Sequence, residues 1–164
     1  MAPIAYSLSI VTSLDEVSPE EWNRLVPAND PFARHEFLLA FEESGSVGSG
    51  TGWQPCHLLF HASGQLAVAM PLYLKDHSYG EYIFDWAWAE AAQRAGLAYY
   101  PKLLSAVPFT PATGRRILTG TRPLDDSILS AVAQGLLALA HQFEASSFHL
   151  LFLTREEHDL LGQK

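Results

Sequence analysis

Cysteine is nearly absent from this chain. With Cys56 alone no internal disulfide can form, which excludes a small secreted scaffold held by disulfides. Long apolar runs are missing too: no stretch approaches the roughly 20 residues that a membrane-spanning helix requires. The first residues, Met1 to Val11, lack the basic n-region of a signal peptide, so a cytoplasmic location is expected. Basic residues are scarce, with 10 Lys plus Arg against 18 Asp plus Glu and a net charge of −8. Such a balance repels a phosphate backbone at long range. Neither a Gly-x-Ser-x-Gly elbow nor a Cys-His signature occurs, and Cys56 reads as a small core residue.

Metal spacing is also wanting among the seven His. His57 and His61 lie four apart, which on a strand is about 13 Å and too far to share an ion. His141 and His149 belong to different elements. No metal is expected.

What the chain does have is a core. Hydrophobic residues make up 48 % of its 164 positions, aromatics 12 % and charged residues 17 %. That is the size and composition of one globular domain, able to bury roughly two-thirds of its unfolded surface without a staple. One charge asymmetry stands out. Between Glu90 and Asp125 there is no acid, while Arg94, Lys102, Arg115, Arg116 and Arg122 are all present. The segment is either a local anion site or a run of solvated bases.

The residue pattern predicts an α/β chain. Ile4 to Val11 reads as a strand. Ser18-Pro19-Glu20-Glu21 has capping-box form and opens a short helix carrying Trp22, Leu25 and Val26. A second helix bears Phe37, Leu38 and Phe41 and closes at Gly45, and Ser44 to Gly52 reads as a loop. Gln54 to His61 and Gln65 to Lys75 alternate with a period of two around Ser63-Gly64, an antiparallel hairpin in which Pro71 demands an edge or bulge. Glu81 to Trp86 suits a strand, Trp88 to Ala95 a helix ending at Gly96, and Lys102 to Val107 another strand that Arg115 to Thr119 resumes. Ser127 to Phe143 repeats its apolar residues every three or four positions, the signature of one buried helix face. Phe148 to Leu153 reads as a strand covered on both faces, and Thr154-Arg155-Glu156-Glu157 opens a last helix.

That order resembles the front of the GNAT acyltransferase fold. The segments Thr51-Gly52-Trp53-Gln54-Pro55, Ala69 to Lys75, His77 to Trp88, Tyr99 to Leu104 and Val107 to Gly114 resemble the FemAB-like group of GNAT proteins, described as N-acetyltransferases or peptidoglycan biosynthesis and recognition proteins. The resemblance implies a GNAT-like mixed sheet with flanking helices, a single domain over 1–164 that forms the N-terminal portion of a longer architecture and is incomplete at its C-terminal end. It further implies transfer of an acyl or aminoacyl group to an amine, with acetyl-CoA or another acyl-CoA as donor and a small-molecule or peptide amine as acceptor, a peptidoglycan precursor among them. An aminoacyl-tRNA donor is a further alternative, disfavoured by the acidic balance. The usual phosphate loop is not matched, since Arg115-Arg116-Ile117-Leu118-Thr119-Gly120 carries one glycine in a different register.

Direct attack of an amine on a thioester or ester requires a proton acceptor, a polarised carbonyl and a hold on the donor phosphates. Glu81 and Asp85 are the candidate bases, set among aromatics that could raise a carboxylate pKa. On a strand they would lie about 13 Å apart on one face; on a helix they would be neighbours. Tyr79 is a candidate acid for the leaving group, and Arg115, Arg116 and Lys102 are candidate phosphate contacts. Tyr73, Trp86, Trp88, Tyr100 and Phe109 are candidate substrate contacts. The competing reading is a non-catalytic module whose aromatic block recognises a peptidoglycan-like or peptide ligand. Oligomeric state is not legible in these residues.

Overall fold

The computed structural model describes residues 5–162, so Ile4, the first residue of the predicted opening strand, lies outside the described residues. The chain is a mixed α/β structure with seven strands in two sheets and five α-helices among the described residues. Strand β1 (Ser7–Val11) leads through a 3-10 turn to α1 (Pro19–Asn23) and α2 (His35–Glu43). Then come β2 (Trp53–Pro55), β3 (His57–Ala62), β4 (Gln65–Met70) and β5 (Tyr73–Lys75). The rest is α3 (Trp86–Arg94), β6 (Lys102–Ser105), α4 (Asp126–Gln142), β7 (Phe148–Leu150) and α5 (Arg155–Leu161).

The hairpin forms where the sequence predicts it, with Ser63 and Gly64 at positive φ between β3 and β4. Its arms, however, divide between two sheets. One sheet has the order β1-β3-β4 and the other β2-β5-β6-β7. The break falls at Cys56 on one arm and at Pro71-Leu72 on the other, where proline cannot donate to a ladder. Other bonds close the gap. The Cys56 N–H donates to the Leu72 carbonyl (2.9 Å), the Leu72 N–H to His57 Nδ1 (3.1 Å) and the Ser105 hydroxyl to the Pro71 carbonyl (2.7 Å). His57 is held in turn by its Nε2–H, 3.2 Å from Glu42 Oε1.

Two layers of helix cover the sheets because the strands alternate. Leu58 and Phe60 face α4, where they join Ile128, Val132, Leu136 and Leu139 in one core. Leu59 faces the other way, onto Leu14, Trp22, Leu25 and Leu38 around α1 and α2. Gly135 lets α4 approach closely, since a Cβ there would meet the Phe60 ring at 3.2 Å. Cys56 sits in the first core, where burial pushes its thiol up to about 12 and leaves it inert.

Three sequence expectations are corrected. Glu81 to Asp85 is not a strand but a loop, with Gly80 and Tyr82 at positive φ, and Trp86 opens α3, two residues earlier than its pattern suggested. Phe148 to Leu153 is not covered on both faces: β7 is the outer strand of its sheet, and Phe148 is 47 % exposed. Arg115 to Thr119 does not resume β6; it contributes only a bridge from Leu118 to Ala69. Capping chemistry also shifts. Ser18 accepts from the Glu21 N–H, but the reciprocal box is built by Ser13 and Glu16 one turn earlier.

Candidate functional site

Strands β5 and β6 pair so that Lys75 lies directly opposite Lys102, with Trp53 of β2 on the far side of Lys75. Both lysines are fully buried. Two like charges facing each other in a dry sheet are costly unless counter-charges reach them. The loop after β5 supplies these. Glu81 Oε2 and Asp85 Oδ2 lie 2.8 and 2.6 Å from Lys102 Nζ, and Ser78 Oγ lies at 3.0 Å. Lys75 Nζ stands 4.0 Å from Glu81 Oε1 and 4.0 Å from the Trp53 ring centroid.

Local sequence explains why the loop turns inward. His77 Nε2–H donates to the Thr51 carbonyl (3.0 Å), while its Nδ1 accepts from the Tyr79 N–H (3.1 Å). A Cβ on Gly52 would fall 2.1 Å from His77 Nε2, so only glycine admits this contact. The carbonyl of Tyr79 then accepts from Trp53 Nε1 (3.0 Å) and Lys75 Nζ (3.3 Å). From this anchor the chain carries Glu81 and Asp85 onto Lys102, and α3 starts immediately after.

Burial drives the Lys75 ammonium down to about 7, with Glu81 working in the opposite direction and Lys102 adding to the depression. Burial also pushes Glu81 upward, against the hydrogen bond and charge of Lys102. At Asp85 burial again works against ionisation, but Lys102, Ser78 and Tyr99 together outweigh it and hold the carboxyl below its usual range. Tyr99 donates to Asp85 Oδ2 (2.7 Å), and its phenol is raised by burial and by that bond. Glu81 Oε1 and Asp85 Oδ1 are buried without a hydrogen bond, a costly state of the kind that functional sites retain.

Asp85 and Tyr99 form part of the wall of a cleft of about 490 Å³ between α3 and the start of β7, with Trp88, Leu97, Ser147 and His149. His149 Nε2 is 2.9 Å from Ser147 Oγ. Burial, and then the charge of Lys102, lower the imidazole, which is therefore neutral at pH 7.

The family model described as FemAB-like, peptidoglycan biosynthesis/recognition, matches residues 13–164. The chain belongs to the FemAB-like family. No curated protein and no solved structure matches it.

Within this FemAB-like chain the two candidate bases, Glu81 and Asp85, do converge, but through a cation rather than a shared helix or strand face. Only Asp85 reaches the cleft wall; Glu81 lies behind it at 2 % exposure. Tyr79 is 65 % exposed, its ring against Trp86 and His77, and it contributes its carbonyl rather than its phenol to the cluster. Trp88 lines the cleft, and Trp86 and Tyr100 line a neighbouring hollow on the other side of α3. Phe109 packs on Trp53 and Phe41.

Three assignments are corrected by geometry. Lys102 cannot hold a phosphate, because all three of its ammonium hydrogens are directed at Ser78, Glu81 and Asp85. Arg116 is 1 % exposed, and its guanidinium donates to the carbonyls of Leu151, Ala112, Phe152 and Arg115. Tyr73 is fully buried between Trp53 and His57, out of reach of a substrate. Arg115 pairs with Glu156 (2.9 Å) on the wall of a separate hollow of about 570 Å³, where Arg122 also stands.

Sequence reasoning missed Lys75, Ser78, Tyr99, Ser147 and His149. Lys75 was discoverable: it shares the inward face of its strand with Tyr73, an unusual place for a charge. Among the described residues no group of three or more His, Cys, Asp or Glu is gathered to hold a metal ion. No helix among them is long and apolar enough to cross a membrane.

Proposed function

We propose that this FemAB-like chain takes part in transferring an acyl or aminoacyl group to an amine of a peptidoglycan precursor, on a GNAT-like framework, with the cleft beside α3 as the acceptor site. The observation that carries this reading is the pairing of an ordered Asp85 carboxylate with a neutral imidazole, His149, on the walls of one largely apolar cleft. An acceptor arrives as an ammonium and attacks as a free amine. The Asp85 charge favours the approach of the cation, and His149 takes the proton before attack. The rings of Trp88 and Tyr99 offer apolar cover to the rest of the acceptor. The donor to test first is an acyl thioester such as acetyl-CoA.

A second reading, recognition without catalysis, is favoured by the aromatic face around α3. Phe84 is 80 % exposed, Trp88 73 % and Tyr79 65 %, far more than a solvated surface ordinarily shows. Calorimetry with muropeptides and with acetyl-CoA, combined with a transfer assay, separates the two. Acyl transfer reduced roughly a hundredfold or more by both Asp85→Asn and His149→Ala supports the enzyme. Muropeptide heat with no transfer supports recognition, and full turnover in both variants ends the catalytic reading.

A further inference from the structure

We propose that the loop after β5 and the start of α3 build an aromatic cage for a quaternary ammonium, a soluble solute of the choline type. The site goes beyond acyl transfer and does not depend on it. Four rings carry the inference. Tyr79, Tyr82, Phe84 and Trp86, together with Ile83, wall a hollow of about 270 Å³, and none of its lining side chains is charged. Each of the four rings is exposed, and apolar area gathered in this way on a surface marks a place of contact. Tyr79 and Trp86 have ring centroids 4.9 Å apart and planes inclined at 59°, which makes a corner rather than a stack. A cation seated against aromatic faces is attracted by the quadrupole of each ring.

The backbone sets these rings before any ligand arrives. The Tyr79 carbonyl is pinned by Trp53 Nε1 and Lys75 Nζ. Gly80, at φ +82°, has no room for a side chain, since a Cβ would fall 2.6 Å from the Phe109 ring. Tyr82 takes φ +57°, a left-handed conformation that is costly for a bulky residue. Such strain persists where the surroundings over-determine it. Here Glu81 and Asp85 fasten the segment to Lys102 from within. A site ordered in advance loses less on binding.

The chemistry of the wall selects the ligand. A primary ammonium brings three N–H donors that need acceptors, and a sugar brings hydroxyls with the same demand. The wall is poor in such partners. Ser78 Oγ is engaged by the Tyr100 hydroxyl (2.7 Å) and Lys102 Nζ (3.0 Å), and the Tyr79 carbonyl is taken as described. A quaternary ammonium has no N–H to satisfy, so aromatic faces replace its water at small cost. Charge acts in the same sense. The chain carries −8, and burial lowers the Lys75 ammonium to about 7, so the cluster behind the rings has no net positive charge at pH 7. The same −8 repels an anionic membrane surface, which favours a free solute over a lipid headgroup.

The test is calorimetry with choline, tetramethylammonium, butylammonium and dimethylbutanol, the uncharged carbon isostere of choline. Proton NMR follows the N-methyl signal of choline, and phosphatidylcholine vesicles form a separate arm. We expect saturable binding of both quaternary cations and an upfield methyl shift from the ring currents. Butylammonium and the isostere should bind roughly tenfold more weakly or worse. Tyr79→Leu and Trp86→Leu should each weaken choline roughly tenfold, while Phe148→Leu, which removes an exposed ring elsewhere, leaves it unchanged. No saturable binding of either quaternary cation overturns the proposal, and so does binding confined to vesicles. Butylammonium or the isostere binding as tightly as choline overturns it on the native chain alone, whether or not a variant folds. Choline affinity unchanged in both ring variants overturns it as well.

Discussion

Replacing Lys102 by methionine removes the centre of the buried charge cluster while keeping most of the side-chain volume. The variant loses three hydrogen bonds and leaves Glu81 and Asp85, 2 % and 6 % exposed, without their shared cation. What remains is weaker: Lys75 Nζ stands 4.0 Å from Glu81 Oε1, beyond hydrogen-bond reach, and Tyr99 alone donates to Asp85 Oδ2. Breaking a buried pair in this way typically costs about 3–5 kcal/mol. A mid-range loss of about 4 kcal/mol is close to a thousandfold in the unfolding constant, and a large share of the 5–15 kcal/mol typical of a domain. The assay is urea unfolding at pH 7 and pH 5. Burial already holds Glu81 above its ordinary value, and losing Lys102 raises it further, so its ionised form is destabilising in the variant and the deficit shrinks as pH falls. Adding Glu81→Gln to Lys102→Met should recover part of the loss at pH 7. A loss within about 1 kcal/mol of zero, or one that does not change between the two pH values, would refute the view that this cluster is held by mutual charge compensation.

Lys75 gives a second pH signature of opposite sense. Its folded value of about 7 lies below its ordinary 10.5, so across that window the unfolded chain binds a proton that the folded chain does not. Stability should therefore rise with pH from about 7 towards 10.5, and Lys75→Met should flatten the slope in a series of thermal melts. An unchanged slope in the variant would assign the effect elsewhere. Glu157 is fully buried and accepts from the Arg116 N–H (2.9 Å) and the Ile117 N–H (2.9 Å). Glu157→Ala leaves both donors buried and unpaired, at about 1–3 kcal/mol each, so thermal unfolding should fall clearly and amide exchange at Ile117 should accelerate. Protection at Ile117 equal to that of the native chain would contradict this.

The helices were legible because their evidence is local. The α4 face of Ile128, Val132, Leu136 and Leu139 repeats at helical spacing, and the ends of α2 and α3 are marked by Gly45 and Gly96, both at positive φ. The hairpin was legible for the same reason at Ser63-Gly64. The two-sheet division was not, because no alternation of residues announces that Pro71 hands the chain from one ladder to another. The charged cluster was half legible. Glu81 and Asp85 stood out by their aromatic company, but what joins them is Lys102, 17 and 21 residues away in sequence. Strand spacing and helix spacing were the two geometries the sequence could offer, and the loop adopted neither. Ser147 and His149 lay in a segment that read as fully covered, and only its position at the sheet margin opens them to the cleft.

The junction at Cys56 and Pro71-Leu72 bears on how the molecule can move. Where a ladder is interrupted, a chain ordinarily gains a joint, and the two halves swing. Here the interruption is stitched by an imidazole and a hydroxyl, from His57 and Ser105, which take up the peptide groups that the missing rungs would have satisfied. Opening it would strand two buried peptide groups away from water. The lysine row is thus bonded across to the strand that carries the α1–α2 side, whereas α3 has no buried residue to anchor it.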